Sequence, residues 1–389
     1  MFKHSFAFLF INLIIFISGL FEIIAQPEKI IFEHYSIAQG MYETNISSII
    51  QDDTGFLWFG THSGLEKFDG HNFTNYKNDP DDTNSIDNAI VNTLYEDSEG
   101  YIWLGTRNGL DKFNYKTGNF AHYQPNPDEP KSKLTNNVVS IYEDDDNNML
   151  WIGALDGLHK FNKLSGRFIK VPLDENNSNY TNNPFINVIF KNISGYFWFG
   201  TSNGLYRMNK TSEKFEHFWF NSMDGSFSSD YYVNTVFEDK AGFFWLGTQN
   251  GLVKFDPKTF SSIRYLNGDG NSITSICEDE YGTLWIGTSE NGLYTFDKVN
   301  LIIFRYTHNA EERSSISSNL ITSVYRERSG TIWVTTSIGG VNKINRVKMP
   351  FKKYPIESVT QIIKGSNDKI WIRTTEGWKI FYPKDETII

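Results

Sequence analysis

Acidic residues cluster at regular places in this sequence, each time a few residues before a tryptophan. The clusters are Asp52-Asp53, Glu96-Asp97, residues 143–146, Glu238-Asp239 and residues 278–280. Carboxylates can hold a metal ion, but a calcium cage needs six or more converging oxygen ligands. Every cluster instead stands in a short stretch typical of a tight turn. The pattern therefore favours turns, and we expect no bound metal and no other cofactor.

Paired carboxylates could also hydrolyse glycosidic bonds. The acidic stretches resemble the sialidase Asp-box, S-x-D-x-G-x-[TS]-[WF], but most copies place Asp three residues before Gly, and the Ser is missing. A glycosidase needs two carboxylates facing each other across a cleft, and nothing marks such a pair. The sequence has no nucleophile elbow, HExxH, P-loop or CxxC motif. We therefore expect a protein without enzymatic activity, and a secreted glycan-processing enzyme is the alternative.

Three aromatic residues depart from the regular pattern of the chain. Trp219, Tyr231 and Tyr232 lie in or beside residues 221–232, one of several long, irregular stretches. Exposed aromatic rings suit stacking on sugar faces, whereas packing within the loop is the other interpretation. These residues are the sequence's candidates for ligand binding.

The elements that carry these residues are copies of one repeated unit. Eight related motifs occur at steps of 38 to 48 residues. They are WFGTHSGL at Trp58, WLGTRNGL at Trp103, WIGALDGL at Trp151, WFGTSNGL at Trp198, WLGTQNGL at Trp245, WIGTSENGL at Trp285, WVTTSIGGV at Trp333 and WIRTTEGW at Trp371. A period of this length indicates a repeated supersecondary unit.

Residues 271–308 show the content of one unit. Four short runs rich in β-forming residues are separated by turn residues, and the run containing Trp285 is apolar on both faces. Four-stranded antiparallel sheets repeated at this period predict an all-β protein with a β-propeller fold. An open β-solenoid is disfavoured because its rungs are shorter, roughly 20–30 residues. The repeated tryptophans are then expected in the core between blades.

The ends of the repeats suggest how the ring closes. Residues 30–38 resemble the fourth strand of the unit but have no blade of their own, so they can complete the blade around Trp333. This predicts a seven-bladed propeller over residues 26–348 and the first blade of a second ring over 349–389. One eight-bladed propeller is the alternative.

Composition limits the location and the partners of the chain. The apolar run at residues 6–21 follows a basic start, which predicts a signal peptide over residues 1–25; an uncleaved anchor is the alternative. The net charge of −10 argues against nucleic-acid binding, and we expect no membrane contact in the mature chain. Cys277, the single cysteine, occupies a position that is aromatic in most copies and is expected to be buried.

The repeats resemble the two-component regulator propeller repeat, with the form ED-x-x-G-x-[LI]-W-[IVL]-G-T-x-x-G-L-x-[KR]-[FY]-[DN] from about residue 32 to residue 383. The resemblance implies the periplasmic, ligand-sensing part of a hybrid two-component sensor. It also implies an oligosaccharide as ligand and allows a homodimer, as in sensor relatives. No kinase motif occurs in this chain, and Thr335 and Arg373 replace the motif's glycine in the last two copies. A protein–protein interaction scaffold is a further alternative.

Overall fold

The computed structural model describes residues 30–125, 136–144, 148–174, 183–209, 213–219, 232–266, 272–346, 359–365, 369–375, 377–382 and 387–388. Its contacts divide the chain into two compact units, Met1–Arg346 and Val347–Ile389. The predicted signal peptide and residues 349–357 lie outside the described residues. No helix in the described part is long and apolar enough to cross a membrane.

Within the described residues, the regular structure consists of β-strands and one short 3₁₀ turn at Ile37–Gln39. The strands of the first unit are β1 (Ile30–Tyr35), β2 (Ile46–Gln51), β3 (Leu57–Thr61), β4 (Gly64–Phe68), β5 (Phe73–Tyr76), β6 (Val91–Glu96), β7 (Ile102–Thr106), β8 (Gly109–Asn114), β9 (Asn119–Tyr123), β10 (Val138–Glu143), β11 (Met149–Ala154), β12 (Gly157–Asn162), β13 (Arg167–Val171), β14 (Ile186–Lys191), β15 (Phe197–Thr201), β16 (Gly204–Asn209), β17 (Lys214–Phe218), β18 (Val233–Glu238), β19 (Phe244–Thr248), β20 (Gly251–Phe255), β21 (Ser262–Tyr265), β22 (Ile273–Glu278), β23 (Thr283–Thr288), β24 (Leu293–Asp297), β25 (Ile302–Tyr306), β26 (Ile321–Arg326), β27 (Ile332–Thr336) and β28 (Val341–Arg346). The second unit contains β29 (Val359–Lys364), β30 (Ile370–Thr374), β31 (Gly377–Tyr382) and β32 (Thr387–Ile388).

These strands form eight antiparallel sheets of four strands, which confirms the predicted all-β propeller fold. Blades 1 to 6 each use four consecutive strands, from β2–β5 through β22–β25. The hairpin between the second and third strands of a blade turns at glycine. For example, Gly64 has φ +127°, a conformation that residues with a side chain rarely adopt.

Blade 7 takes its outer strand from the other end of the unit. Its sheet has the order β1-β28-β27-β26, and β1 pairs with β28 from Ile30 opposite Arg346 to Tyr35 opposite Val341. The innermost strands contact one another in sequence, and β26 contacts β2, so seven blades close into a ring. The N-terminal strand thus completes the blade of Trp333, as its sequence indicates.

Interblade packing buries the repeated tryptophans. The seven tryptophans at the repeated motif position of the ring are at most 3% exposed. Trp58, for instance, packs with Leu94, Ile102 and Phe113 of blade 2. In blades 1 to 6 the glycine two residues after the tryptophan also allows this packing. For example, a Cβ on Gly105 would lie 2.7 Å from Val138 Cγ1 of blade 3. The predicted core role of the tryptophans is therefore observed.

The second unit is a single sheet in the order β29-β30-β31-β32, which we call the C-terminal blade. The strand Val359–Lys364 is exposed along its whole length. Trp371 is 39% exposed and Trp378 is 49% exposed. This sheet has the strand order of a ring blade, but its side chains are more exposed than those of the ring blades.

Candidate functional site

The acidic turn residues are committed to holding the fold. Asp52 accepts a hydrogen bond from the Phe56 amide at 2.9 Å through Oδ1 and one from the Trp58 indole at 2.7 Å through Oδ2. Equivalent carboxylate-to-indole bonds of 2.7–2.9 Å join Asp97 to Trp103, Asp239 to Trp245, Asp279 to Trp285 and Glu327 to Trp333. One carboxylate therefore caps the turn and orients the core tryptophan. The sequence indicated the turn but not the bond to the indole.

Neighbouring blades also engage these carboxylates. Tyr115 of blade 2 donates to Asp52 of blade 1, and Lys163 of blade 3 lies 3.3 Å from Asp97 of blade 2. Burial alone would raise the pKa of Asp52, but hydrogen bonds from Trp58, Tyr115 and Thr54 hold it below its ordinary value. A carboxylate held ionised in this way is poorly suited to act as a general acid.

The histidines and acidic residues do not assemble a metal centre in the described part of the chain. No group of three or more His, Cys, Asp or Glu side chains there could hold a metal ion. Two members of the aspartate run, Asp145 and Asp146, lie outside the described residues. Cys277 is buried, and burial raises the pKa of its thiol, so it behaves as an apolar core side chain.

The links between blades lie on one face of the ring, together with the hairpins between second and third strands. Trp219 directly follows β17, the outermost strand of blade 4, whereas Tyr232 directly precedes β18, the innermost strand of blade 5. A four-stranded blade is roughly 14 Å wide at ordinary strand spacing. Trp219 and Tyr232 thus belong to opposite radial ends of the blades, and Tyr231 lies outside the described residues.

Tyr232 is partly buried toward the centre of the ring. Its carbonyl accepts a hydrogen bond from the Gln249 amide at 3.3 Å. Burial raises the pKa of its phenol, which is hydrogen-bonded to the Asn187 side chain. These contacts fit the packing interpretation of Tyr232, and its role in ligand binding stays a prediction.

Trp219 is 54% exposed and lies at the end of a row of three aromatic rings, which we call the ring cluster. Tyr206 and His217 stack with centroids 4.0 Å apart and nearly parallel planes, whereas Trp219 lies 3.7 Å from His217 with its plane tilted by 47°. Burial lowers the pKa of His217, and its Nε2 donates to the Asn203 carbonyl at 2.5 Å. Because a neutral imidazole lies in the middle, the ring cluster presents an uncharged aromatic surface.

The ring cluster lies beside blade 3, where a packing contact that the other six blades share is missing. In six blades the core tryptophan contacts an aromatic residue of the outermost strand, with ring centroids 5.4–6.5 Å apart. The pairs are Trp58–Tyr76, Trp103–Tyr123, Trp198–Phe218, Trp245–Tyr265, Trp285–Tyr306 and Trp333–Tyr35. In blade 3 the corresponding residue is Val171, opposite Leu158. Blade 4 adds Met208 at a third-strand position that is aromatic in five other blades.

These smaller side chains leave a groove of about 770 Å³ over Trp151, between the outer parts of blades 3 and 4. We call it the blade 3/4 groove. Val171 and Leu173 lie on one side, and Tyr206, Met208 and His217 lie on the other. Lys160 lies over the Trp151 ring and forms a 3.3 Å ion pair with Glu213. Its size and mixed lining are those of a small-molecule site.

Trp219 was a candidate from the sequence and stays a prediction, whereas the groove lined by its neighbour His217 was not predicted. The signal was present in the fourth strands, which end in Tyr76, Tyr123, Phe218, Tyr265 and Tyr306 but in Val171 in blade 3. An aliphatic residue at a repeated aromatic position predicts a local loss of packing volume.

The repeats match a family model described as the two component regulator propeller, over residues 43–63, 84–108, 226–250 and 267–290. Four of the eight repeats are thus similar to the two-component regulator propeller repeat. A stretch of 62 residues is also 42% identical to Histidine kinase P4 of Formosa agariphila, covering 16% of this chain and 4% of that protein.

Solved extracellular domains assigned to two-component systems share the propeller architecture of this chain. The extracellular domain assigned to a hybrid two-component system of B. thetaiotaomicron is 25% identical, with a TM-score of 0.68 over 93% of this chain and 49% of that one. A second such domain from B. thetaiotaomicron is 20% identical, with a TM-score of 0.69 over 93% and 53%. The chain thus spans about half the length of these structures.

A streptogramin B lyase shares the propeller fold as well. It is 17% identical, with a TM-score of 0.61 over 82% of this chain and 97% of that one. At this identity the similarity concerns the fold alone, so it assigns no reaction to these propeller repeats.

Proposed function

We propose that this chain is the ligand-sensing propeller of a two-component sensor and that its ligand is an oligosaccharide. The observation that carries the proposal is the ring of two-component regulator propeller repeats, whose architecture matches extracellular domains assigned to two-component systems. In this role the propeller binds a small molecule and leaves it chemically unchanged. The response itself requires a kinase that these repeats do not supply.

The engaged state of the turn carboxylates supports binding without turnover. Asp52, Asp97, Asp239 and Asp279 each accept hydrogen bonds from a core indole and from turn amides. A glycosidase would instead hold two carboxyl groups free, about 5–10 Å apart across a cleft. The glycan-processing alternative therefore has less support than sensing.

The same role places the chain outside the cytoplasm. The apolar run at residues 6–21 would direct export, and both B. thetaiotaomicron structures are described as extracellular domains. In such a compartment the protein would meet oligosaccharides released from polymers. We accordingly propose a periplasmic location, with no nucleic acid as a partner.

A thermal-shift screen of the purified chain tests the proposal. The panel contains neutral trisaccharides (cellotriose, laminaritriose and xylotriose) and an anionic one, trigalacturonate. A sugar at 100 times its Kd should add about 2.7 kcal/mol to the free energy of unfolding. Chromatography of the same mixtures should return every sugar intact. Cleavage would favour the glycan-processing enzyme, and failure of every sugar to bind would overturn the oligosaccharide assignment.

A further inference from the structure

We propose that the blade 3/4 groove is the sugar-binding site, with Tyr206 and His217 in its lining and the exposed Trp219, which contacts His217, at its rim. This inference rests on the proposed function, since it assigns a location to the oligosaccharide. It differs from the expectation based on residues 221–232, because the groove lies along the outer strands of two blades.

The groove lies where packing found elsewhere in the ring is missing. The core tryptophans of six blades contact an outer-strand aromatic ring, but Trp151 meets Val171 at that position. Leaving apolar volume unfilled costs stability, because neighbouring side chains lose contacts on that side. Val171 and Met208 both line the groove, whose volume of about 770 Å³ can admit a ligand ring.

The groove has aromatic rings on one side. Tyr206 and His217 line it and stack with centroids 4.0 Å apart, and Trp219 contacts His217 at 3.7 Å with its plane tilted by 47°. An aromatic face suits the C–H side of a sugar ring, which is apolar although the ring edge is polar. Trp219 is 54% exposed, so part of its surface faces solvent at the rim of the groove.

The charged residues in the lining balance one another and can form hydrogen bonds to a sugar. The lining includes Lys160, Lys214, Asp174 and Glu213, two residues of each sign. Ammonium groups can donate to sugar hydroxyl oxygens, and carboxylates can accept from sugar hydroxyl groups. Because the charges balance, we expect the groove to prefer neutral sugars over uronic acids and binding to depend weakly on salt.

Refilling the groove is the most direct test. Val171→Tyr restores the residue type found at this position in most other blades, such as Tyr123 opposite Leu110. We expect the variant to keep or raise the unfolding midpoint and to weaken binding of the best neutral trisaccharide at least tenfold in calorimetric titration. A folded variant that loses binding separates occlusion of the groove from damage to the ring.

Removing the exposed ring of Trp219 at the rim of the groove is the complementary test. Trp219→Ala should weaken binding of the same trisaccharide about tenfold, a loss typical of one stacking ring. Tyr42→Ala is the matched control, because Tyr42 is a 59% exposed aromatic residue in the link before blade 1. This control should bind as the parent does.

The outcomes separate the location from the function. Unchanged affinity in both Val171→Tyr and Trp219→Ala would overturn the groove while leaving an oligosaccharide-binding propeller. Failure of the parent chain to bind any of the four trisaccharides would overturn the proposed ligand class itself. A stronger response to trigalacturonate than to neutral sugars would contradict the charge argument and with it the assigned ligand.

Discussion

The ring and the C-terminal blade contain the same repeat but bury it to different degrees. The seven core tryptophans of the ring are at most 3% exposed, whereas Trp371, at the same repeat position, is 39% exposed. Strands β30 and β27 nevertheless pair with their neighbours in the same registers. Strand pairing is thus a property of one unit, whereas burial of its faces is a property of adjacent units.

Sequence differences follow the same division. In ring blades 1 to 6 the second residue after the core tryptophan is a glycine, and a Cβ there would meet the next blade, as at Gly60 and Gly105. The C-terminal blade has Arg373 at this position. A long charged side chain is tolerated where no neighbouring blade of the same unit packs. The comparison teaches that the motif's glycine and tryptophan serve contacts between blades.

Loss of the closing strand should have the largest effect. A chain lacking residues 26–39 loses β1 and leaves β28 with an unpaired edge, which invites association with other chains. We expect the chain beginning at residue 26 to give one discrete species in light scattering, and the chain beginning at residue 40 to aggregate. Identical behaviour of the two chains would show that the N-terminal strand does not close the ring.

Replacing a core tryptophan by alanine should have the second-largest effect, and its cost in stability should differ between the ring and the C-terminal blade. Trp198→Ala empties a fully buried site between blades 4 and 5 and should cost about 3–5 kcal/mol in urea unfolding. Trp371→Ala in the C-terminal blade should cost under about 1 kcal/mol, as for a surface site. Equal costs would mean that both tryptophans experience the same burial.

A buried carboxyl group in the ring should make its stability depend on pH. Glu66 is fully buried, and burial raises its pKa to about 7 although it accepts two backbone hydrogen bonds from Tyr42 and Glu43. Its pKa is higher in the folded than in the unfolded chain. Its contribution to stability is therefore present at low pH and lost as the pH rises from about 4.5 through 7.

The variant Glu66→Gln removes this titration. Between pH 5 and pH 8 the parent should lose up to about 3 kcal/mol relative to the variant, at 1.36 kcal/mol per pKa unit. The C-terminal blade has Lys379 at the matching position and should contribute nothing of this kind. Glu311→Gln, in an exposed link, is the control and should parallel the parent. A constant difference for Glu66→Gln would imply an ordinary pKa.

A small increase in volume at the motif's glycine should give the smallest effect. In Gly105→Ala the new Cβ would lie 2.9 Å from the Val138 carbonyl oxygen, so backbone must shift. We expect a cost of about 2 kcal/mol in urea unfolding, as for other overpacked sites. Arg373→Ala, the matched change in the C-terminal blade, should stay within about 0.5 kcal/mol. The comparison fails if the two variants lose equal stability.

Much of the fold could be predicted from the repeats because their information is local. Glycines with positive φ, such as Gly64 and Gly109, fix the hairpins, and acidic residues such as Asp97 cap the turns beside them. The candidate site was harder to predict. Trp219 could be singled out because it departs from the repeat pattern. Its ring contact with His217, however, depends on the conformation of β17 and the residue after it.

The sequence by itself determined the repeated four-stranded unit, its turns and the identity of its core residues, since each depends on residues only a few positions apart. The tertiary structure decided the register in which β1 pairs with β28 and where the packing between blades is incomplete. Those features join residues such as Ile30 and Arg346, or Trp151 and Met208, that are distant in sequence. Contacts of this kind exist only once the ring brings neighbouring blades together, because no single repeat can bury both of its faces.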